Sequence, residues 1–162
     1  MPKLQKATLV FLVKTKKEKV TDICLAMKKR GFGVGKWNGV GGKVKPKEKI
    51  RKAAKRETIE EIGINPKNLK KVAKLSFYFS NNPKWDQVVY VYFCQNWQGE
   101  PIETEEMKPA WYKTNELPFE IMWPDDKFWL PKAIKGNYLK GKFEFGENDS
   151  ILEKKIKLVN KI

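Results

Sequence analysis

Ala7 to Val13 is a nearly unbroken run of apolar and β-branched residues, and Val20 to Met27 is a second. The lysine-rich stretch Lys14 to Lys19 between them reads as a turn, so the two runs predict a β-hairpin. Glycine dominates the next segment. Arg30 to Gly42 holds Gly31, Gly33, Gly35, Gly39, Gly41 and Gly42, a density that suits a backbone turning sharply or lying against a ligand. Pro46 stands ahead of a helical pattern from about Lys47 to Ile62, which Gly63 is placed to end as a C-cap. Further strands are predicted at Val72 to Phe79, Val88 to Cys94, Ala110 to Lys113, Tyr138 to Phe145 and Ile151 to Val159. A second helix is predicted to begin near Asp126, with Pro131 in its first turn. With no internal repeat and no marked boundary, the pattern predicts one α/β domain across residues 1–162, built on a mixed sheet.

Composition narrows the chemistry. Hydrophobic residues make up 41% and aromatics 12%, which is the profile of a packed globular chain. No apolar run approaches the ~20 residues that a bilayer span needs, and Met1-Pro2-Lys3-Leu4-Gln5-Lys6 lacks the apolar centre of an export signal. A cytoplasmic location without a membrane partner is therefore expected. Cys24 and Cys94 both fall in strand-like stretches and read as ordinary buried thiols. Histidine is absent, which removes a His general base, Ser/His/Asp and Cys/His triads, and any His-ligated metal. Acid–base and metal chemistry fall to carboxylates, lysines and tyrosines. The net charge of +15 comes from 31 lysines and only Arg30, Arg51 and Arg56, a skew that reads as a solvated lysine surface more than a nucleic-acid site. Such a surface still draws small anions.

At about 100° per residue, Ile50, Ala53 and Ala54 share one face of the first helix. Glu57 and Glu61 continue that face and Glu60 lies at its margin, so carboxylates stand where a core stripe should run on. Burying an unpaired carboxylate costs about several kcal/mol, and Arg56 alone does not neutralise three. A divalent cation resolves the conflict, and Mg²⁺ takes oxygen ligands while keeping positions for water and phosphate. The bland alternative is a solvated acidic face.

Gly42, Glu48 and the run Arg56-Glu57-Thr58-Ile59-Glu60-Glu61-Ile62-Gly63-Ile64 resemble the Nudix box: a Gly, a Glu after five residues, and after seven more Arg-Glu-U-x-Glu-Glu-x-Gly-U, where U is aliphatic. Thr58 is the one departure, at an aliphatic position, and bears on helix packing. The resemblance implies an α/β/α sandwich with a mixed β-sheet and a loop–helix–loop catalytic motif over residues 42–64. It implies Mg²⁺, or Mn²⁺ in its place, held by Glu57, Glu60, Glu61 and the carbonyl of Gly41, with Glu48 and Arg56 as a supporting ion pair. Water would then attack phosphorus in line. Without histidine, the water proton goes to a carboxylate, with Glu61 and the more distant Glu106 as candidates; Glu57 counts with them as a catalytic residue, and Glu106 also as a ligand.

The similarity runs beyond the box, through Met27-Lys28-Lys29-Arg30-Gly31-Phe32-Gly33, Trp37-Asn38-Gly39, Glu105-Glu106-Met107-Lys108-Pro109 with Trp111, Met122-Trp123-Pro124-Asp125-Asp126 and Gly141-Lys142-Phe143-Glu144-Phe145. These segments resemble the oxidised-purine nucleoside triphosphatases, the 8-oxo-dGTP diphosphatase branch that yields a monophosphate and pyrophosphate. The branch implies a base pocket in which Phe32, Phe77, Phe79 and Trp123 stack and Asn38, Asp125 and Asp126 read the base edge. Thr8 would lie near the base or sugar and Lys28 at the pocket mouth, with Val40, Gly41, Gly42, Lys43 and Pro124 completing the contacts. On the bland reading Phe77 and Phe79 are core packing and Asp125 is a helix N-cap. Two departures bear on the pocket: the longer Lys-rich tip near Lys14 to Glu18, and a lengthened Ser80 to Gln87 stretch that puts the next pocket position on Val88. The expected partner is a small nucleoside triphosphate met by a monomer. Another diphosphate substrate, such as a dinucleotide, an ADP-sugar or an RNA cap, and a non-catalytic nucleic-acid-binding module, are the competing functions.

Overall fold

The structure is a computed structural model and describes residues 4–162. Met1 to Lys3, within the stretch read for an export signal, lie outside the described residues. No helix among those described is long and apolar enough to cross a membrane.

Strands β1 (Gln5–Lys16) and β2 (Lys19–Lys28) form the expected hairpin, joined by Lys17 and Glu18 alone. Both turn residues have positive φ, 51° and 65°, which is the two-residue geometry whose twist matches antiparallel strands. Of the lysines expected to form a broad tip, Lys14, Lys16 and Lys19 are therefore strand residues and Lys17 alone is in the turn. β3 (Trp37–Asn38), α1 (Ile50–Ile62), β4 (Asn65–Lys67), β5 (Lys70–Phe79), β6 (Gln87–Cys94), β7 (Asn96–Gln98), β8 (Met107–Lys113), α2 (Asp126–Ile134), β9 (Tyr138–Phe145) and β10 (Ile151–Val159) complete the chain. The main sheet runs β10-β9-β5-β6-β1-β2-β3, with β8 also paired to β2, while β4 and β7 pair separately. β1 is parallel to β6 and β5 to β9, the remaining pairs being antiparallel, so the sheet is mixed.

Strand periodicity divides the core. In β1, Ala7, Phe11 and Val13 face one side and join Trp129, Leu130 and Ala133 of α2. Val10 and Leu12 face the other and join Ala54 and Ile62 of α1. The helices thus cover opposite faces of one sheet, and the layers are α/β/α. Ala53 and Ala54, both fully buried, let α1 approach β1 closely.

Helix α1 begins at Ile50, later than Lys47, because Lys47 adopts φ 66° and Glu48 N–H bonds to Lys45 O, completing a turn first. It ends as expected at Gly63, which is left-handed (φ 70°) and donates its N–H to Ile59 O. Thr58 is fully buried, and its hydroxyl donates to Ala54 O at 2.7 Å, so the polar group at this aliphatic position is satisfied within the helix. In α2, Pro131 falls in the second turn instead of the first. Both cysteines are buried free thiols in strands.

Candidate active site

The first half of β1 has β6 along one edge and takes up residues 40–44 along the other. Val10 and Val40 exchange backbone hydrogen bonds of 2.6 and 2.9 Å, and Thr8 N donates to Gly42 O at 2.9 Å. This lays the glycine loop against α1 with no room for side chains. A Cβ on Gly41 would stand 1.8 Å from Thr8 O, and one on Gly42 would stand 2.6 Å from Glu57 Cδ. Gly41→Ala is accordingly expected to lose about 3 kcal/mol of stability, since the obstructing atom is backbone and cannot turn aside. Urea denaturation would check this; an unchanged midpoint would show that the loop is not held against β1.

Arg56 is the hub of the carboxylate helix. Its Nε and Nη2 donate to the two oxygens of Glu48 at 2.8 and 3.0 Å, its Nη1 donates to Glu57 at 2.7 Å and to Glu60 at 3.3 Å, and its Nη2 reaches Lys43 O at 3.2 Å. The guanidinium holds the Glu48 carboxyl down to about 2. Glu61 differs from its neighbours. It is 4% exposed, its Oε1 accepts from Gly41 N at 2.9 Å, and burial pushes its carboxyl up to about 7 against the restraint of that hydrogen bond. Glu57 is half-buried, whereas the Glu60 side chain, at the margin of the buried face, is 56% exposed. Glu106 is taken by Arg30, whose Nε and Nη2 both donate to its Oε1, and this ion pair lowers its pKa.

Among the described residues, no three carboxylates converge on one point in this arrangement. Arg56 takes Glu57 and Glu60, Gly41 takes Glu61, and Arg30 takes Glu106. The residues nonetheless fit a hard divalent cation. They supply carboxylate oxygens from successive turns, one buried where ionisation is costly, beside a glycine cradle that a Cβ would fill.

A cavity of about 370 Å³ opens beside Gly41 and Gly42 and extends under the glycine loop to the start of α2. Its far end is aromatic. Phe32 packs against Trp123 with centroids 5.2 Å apart, Phe79 stacks on Phe145 at 5.2 Å, and Phe77 stacks on Phe143 at 5.7 Å. Gly33, at φ 82°, lets the loop pass over the Trp123 indole, where a Cβ would stand 3.3 Å from the ring. Asp125 and Asp126 close this end, both buried. Trp129 Nε1 donates to Asp125 Oδ2 at 2.8 Å, while Asp126 Oδ2 is buried with no partner. Burial raises both carboxyls, Asp126 further because Asp125 adds a like charge, so the pair keeps a proton to higher pH than carboxyls in water do. An orphaned buried oxygen facing a cavity is a place for a ligand's donor or acceptor.

Residues 3–133 match the family model described as the NUDIX domain. The chain belongs to the Nudix family. It is 41% identical over 138 residues to the oxidized purine nucleoside triphosphate hydrolase of Mus musculus, covering 85% of this chain and 88% of that protein. It is 41% identical over 134 residues to the protein of the same name from Danio rerio, covering 83% and 85%. Among solved structures, a MutT protein from Bacillus halodurans superposes with a TM-score of 0.78 at 26% identity, covering 95% of this chain and 98% of that one. The mixed sheet between two helices is the Nudix α/β fold.

The segment resembling the Nudix box, Gly42 to Ile64, spans the loop beside β1, the whole of α1 and its Gly63 cap. Of the residues that the Nudix resemblance placed against substrate, all line the cavity except Val40 and Pro124. Val40 is buried in the α1-side core, because its alternation in the bridge to Val10 turns its side chain there. Pro124 sits in the turn before α2 and delivers Asp125 without itself facing the cavity. Asp125 makes no side-chain N-cap bond, so the bland reading of it fails. The position expected at Val88 is also corrected: Gln87 and Val89 face the cavity, being one residue to either side on a strand whose faces alternate. Lys84 and Trp85 line it too and were missed; the signal for them was a tryptophan in an otherwise polar loop.

Proposed function

We propose that this protein is a Mg²⁺-dependent diphosphatase that hydrolyses oxidised purine nucleoside triphosphates, of the 8-oxo-dGTP and 2-hydroxy-dATP type, to the monophosphate and pyrophosphate. Such a reaction clears damaged precursors from the nucleotide pool. The carrying observation is one cavity whose glycine end adjoins the carboxylate helix and whose aromatic end is closed by two buried aspartates. The names and extent of identity of the mouse and zebrafish relatives support the same substrate class.

Glu57, Glu60, Glu61 and the carbonyl of Gly41 would hold the cation, which supplies neutralisation of the phosphate charge and polarises the phosphorus for attack. Arg56, anchored by Glu48, fixes the orientation of Glu57 and Glu60. Glu61, with one oxygen held by Gly41 N beside the glycine cradle, is the carboxylate placed to take the proton of the attacking water. Lys28 and Lys43 line the cavity and offset phosphate charge. Water attacks the β-phosphorus and the bridging oxygen leaves with the nucleoside monophosphate. Asp126 and Asp125 meet the base edge, Asn38 faces the same cavity with its Oδ1 engaged by Gly39 N, and Trp123 and Phe32 provide the ring faces.

Incubating the enzyme and Mg²⁺ with normal and oxidised triphosphates, and resolving pyrophosphate from phosphate, tests this. Oxidised purines are expected to be cleaved in preference to dGTP and dATP, with pyrophosphate as co-product. Cleavage confined to an ADP-sugar, a dinucleotide or a capped RNA would replace the substrate class, and release of inorganic phosphate alone would overturn the reaction.

A further inference from the structure

The segment between β5 and β6 is built to carry one side chain. Residues Pro83–Trp85 form a single 3₁₀ turn, with Trp85 N donating to Asn82 O at 3.0 Å and Asp86 N to Pro83 O at 3.1 Å. Asp86 Oδ1 accepts from Phe79 N at 2.8 Å, and Ser80 N donates to Phe145 O at 3.0 Å, so both feet of the loop are tied to strands that line the cavity. An ordered loop normally turns its largest apolar group inward. This one leaves Trp85 46% exposed at the cavity edge.

There Trp85 meets Phe32 with centroids 4.9 Å apart and the edge of Phe79 at 5.8 Å. Phe32 is itself 40% exposed and reaches across from the glycine loop, with Trp123 on its other side at 5.2 Å. Among the described residues, no backbone hydrogen bond joins the glycine loop to the 80–86 loop, and the Phe32–Trp85 pair is an aromatic contact between them. Two rings that are partly in water, each also resting on Phe79, can part to admit a third flat ring, and burying their exposed area on that ring is favourable.

We propose that Trp85 is a specificity-determining residue: it forms the outer aromatic wall of the base cavity and stacks on a bicyclic base, favouring purines over pyrimidines. This rests on the nucleotide reading of the site. A purine offers the larger stacking face, whereas a pyrimidine held at the aspartate end falls short of the rim. The phosphates lie at the opposite, glycine end of the cavity, so Trp85 acts on binding and leaves the chemical step alone.

The test compares wild type, Trp85→Ala and Trp85→Phe. Trp85→Ala is expected to raise KM for 8-oxo-dGTP about tenfold, the effect of removing one stacking ring, with kcat within about twofold. The preference for purine over pyrimidine triphosphates should fall by a similar factor, and Trp85→Phe should restore most of both. Unchanged KM and unchanged preference in Trp85→Ala would overturn the proposal while leaving the enzyme's function intact. Equal loss on purines and pyrimidines, with kcat falling, would mark Trp85 as a merely structural residue and overturn it as well. Equilibrium binding of 8-oxo-dGMP, measured beside the kinetics, separates the two readings: a wild type that cleaves no triphosphate but binds this monophosphate tenfold better than Trp85→Ala keeps the wall and loses the reaction. A wild type that fails to bind it overturns the proposal.

Discussion

Glu61→Gln is expected to lower kcat for 8-oxo-dGTP by about 10³-fold while the fold survives. Glutamine keeps the volume, and its side-chain oxygen still accepts from Gly41 N, so the loop stays seated against β1 and α1. The loss is of a carboxylate able to take a proton or hold a cation. Stability gives a second, opposite-signed readout. The folded carboxyl lies at about 7 against 4.5 unperturbed, so the folded state binds more protons between those values. Wild-type stability without divalent cations should then fall as pH rises through that window. By pH 8 the loss amounts to about 3 kcal/mol, the variant lacks it, and the two proteins converge below pH 4.5. Thermal melts in a chelator at pH 4 and pH 8 measure the difference, and added Mg²⁺ should recover stability in wild type more than in Glu61→Gln. A variant that keeps full activity would remove Glu61 from the reaction.

Asp125→Asn and Asp126→Asn are expected to alter which base is accepted far more than how well the cation is held. Asparagine preserves shape at both positions but fixes one donor and one acceptor, where a carboxyl with a raised pKa can offer either. Losing a buried hydrogen bond to a ligand costs about 1–3 kcal/mol, so the ratio of kcat/KM for 8-oxo-dGTP over 2-hydroxy-dATP should move by about ten- to a hundredfold. The Mg²⁺ concentration giving half-maximal rate should stay within about twofold. Asp126→Asn carries the larger change, because Asp126 Oδ2 has no partner in the protein, whereas Asp125 is also held by Trp129. Equal losses on every triphosphate would show that the pair supports the fold and does not read the base.

Glu61 was legible from the sequence, since helical spacing carries it onto the same face as Ala53 and Ala54, and burial is a property of that face. The same wheel set Glu60 at the margin of that face, where its side chain is 56% exposed. Asp125 and Asp126 were legible as pocket residues through family resemblance, and the structure places both against the cavity; their residue types alone fit an N-cap equally well. Gln87 and Val88 show the limit of register: a gap placed one residue off exchanges the faces of a strand, and only the pairing of β6 with β1 and β5 settles it.

The sequence by itself determined the elements with strong local signals. Strands β9 and β10 match their predicted spans residue for residue, and α1 stops at a glycine that can be left-handed. It also determined the available chemistry, since a chain without histidine but with Glu57, Glu60 and Glu61 on one helix has carboxylates to work with and little else. Local periodicity and residue type suffice for such properties. Tertiary structure alone decided that Glu106 is taken by Arg30 and that Trp85 meets Phe32. Trp85 and Phe32 are distant in the chain and belong to loops without a repeating pattern, so their meeting is set by how the sheet brings two loops to one end.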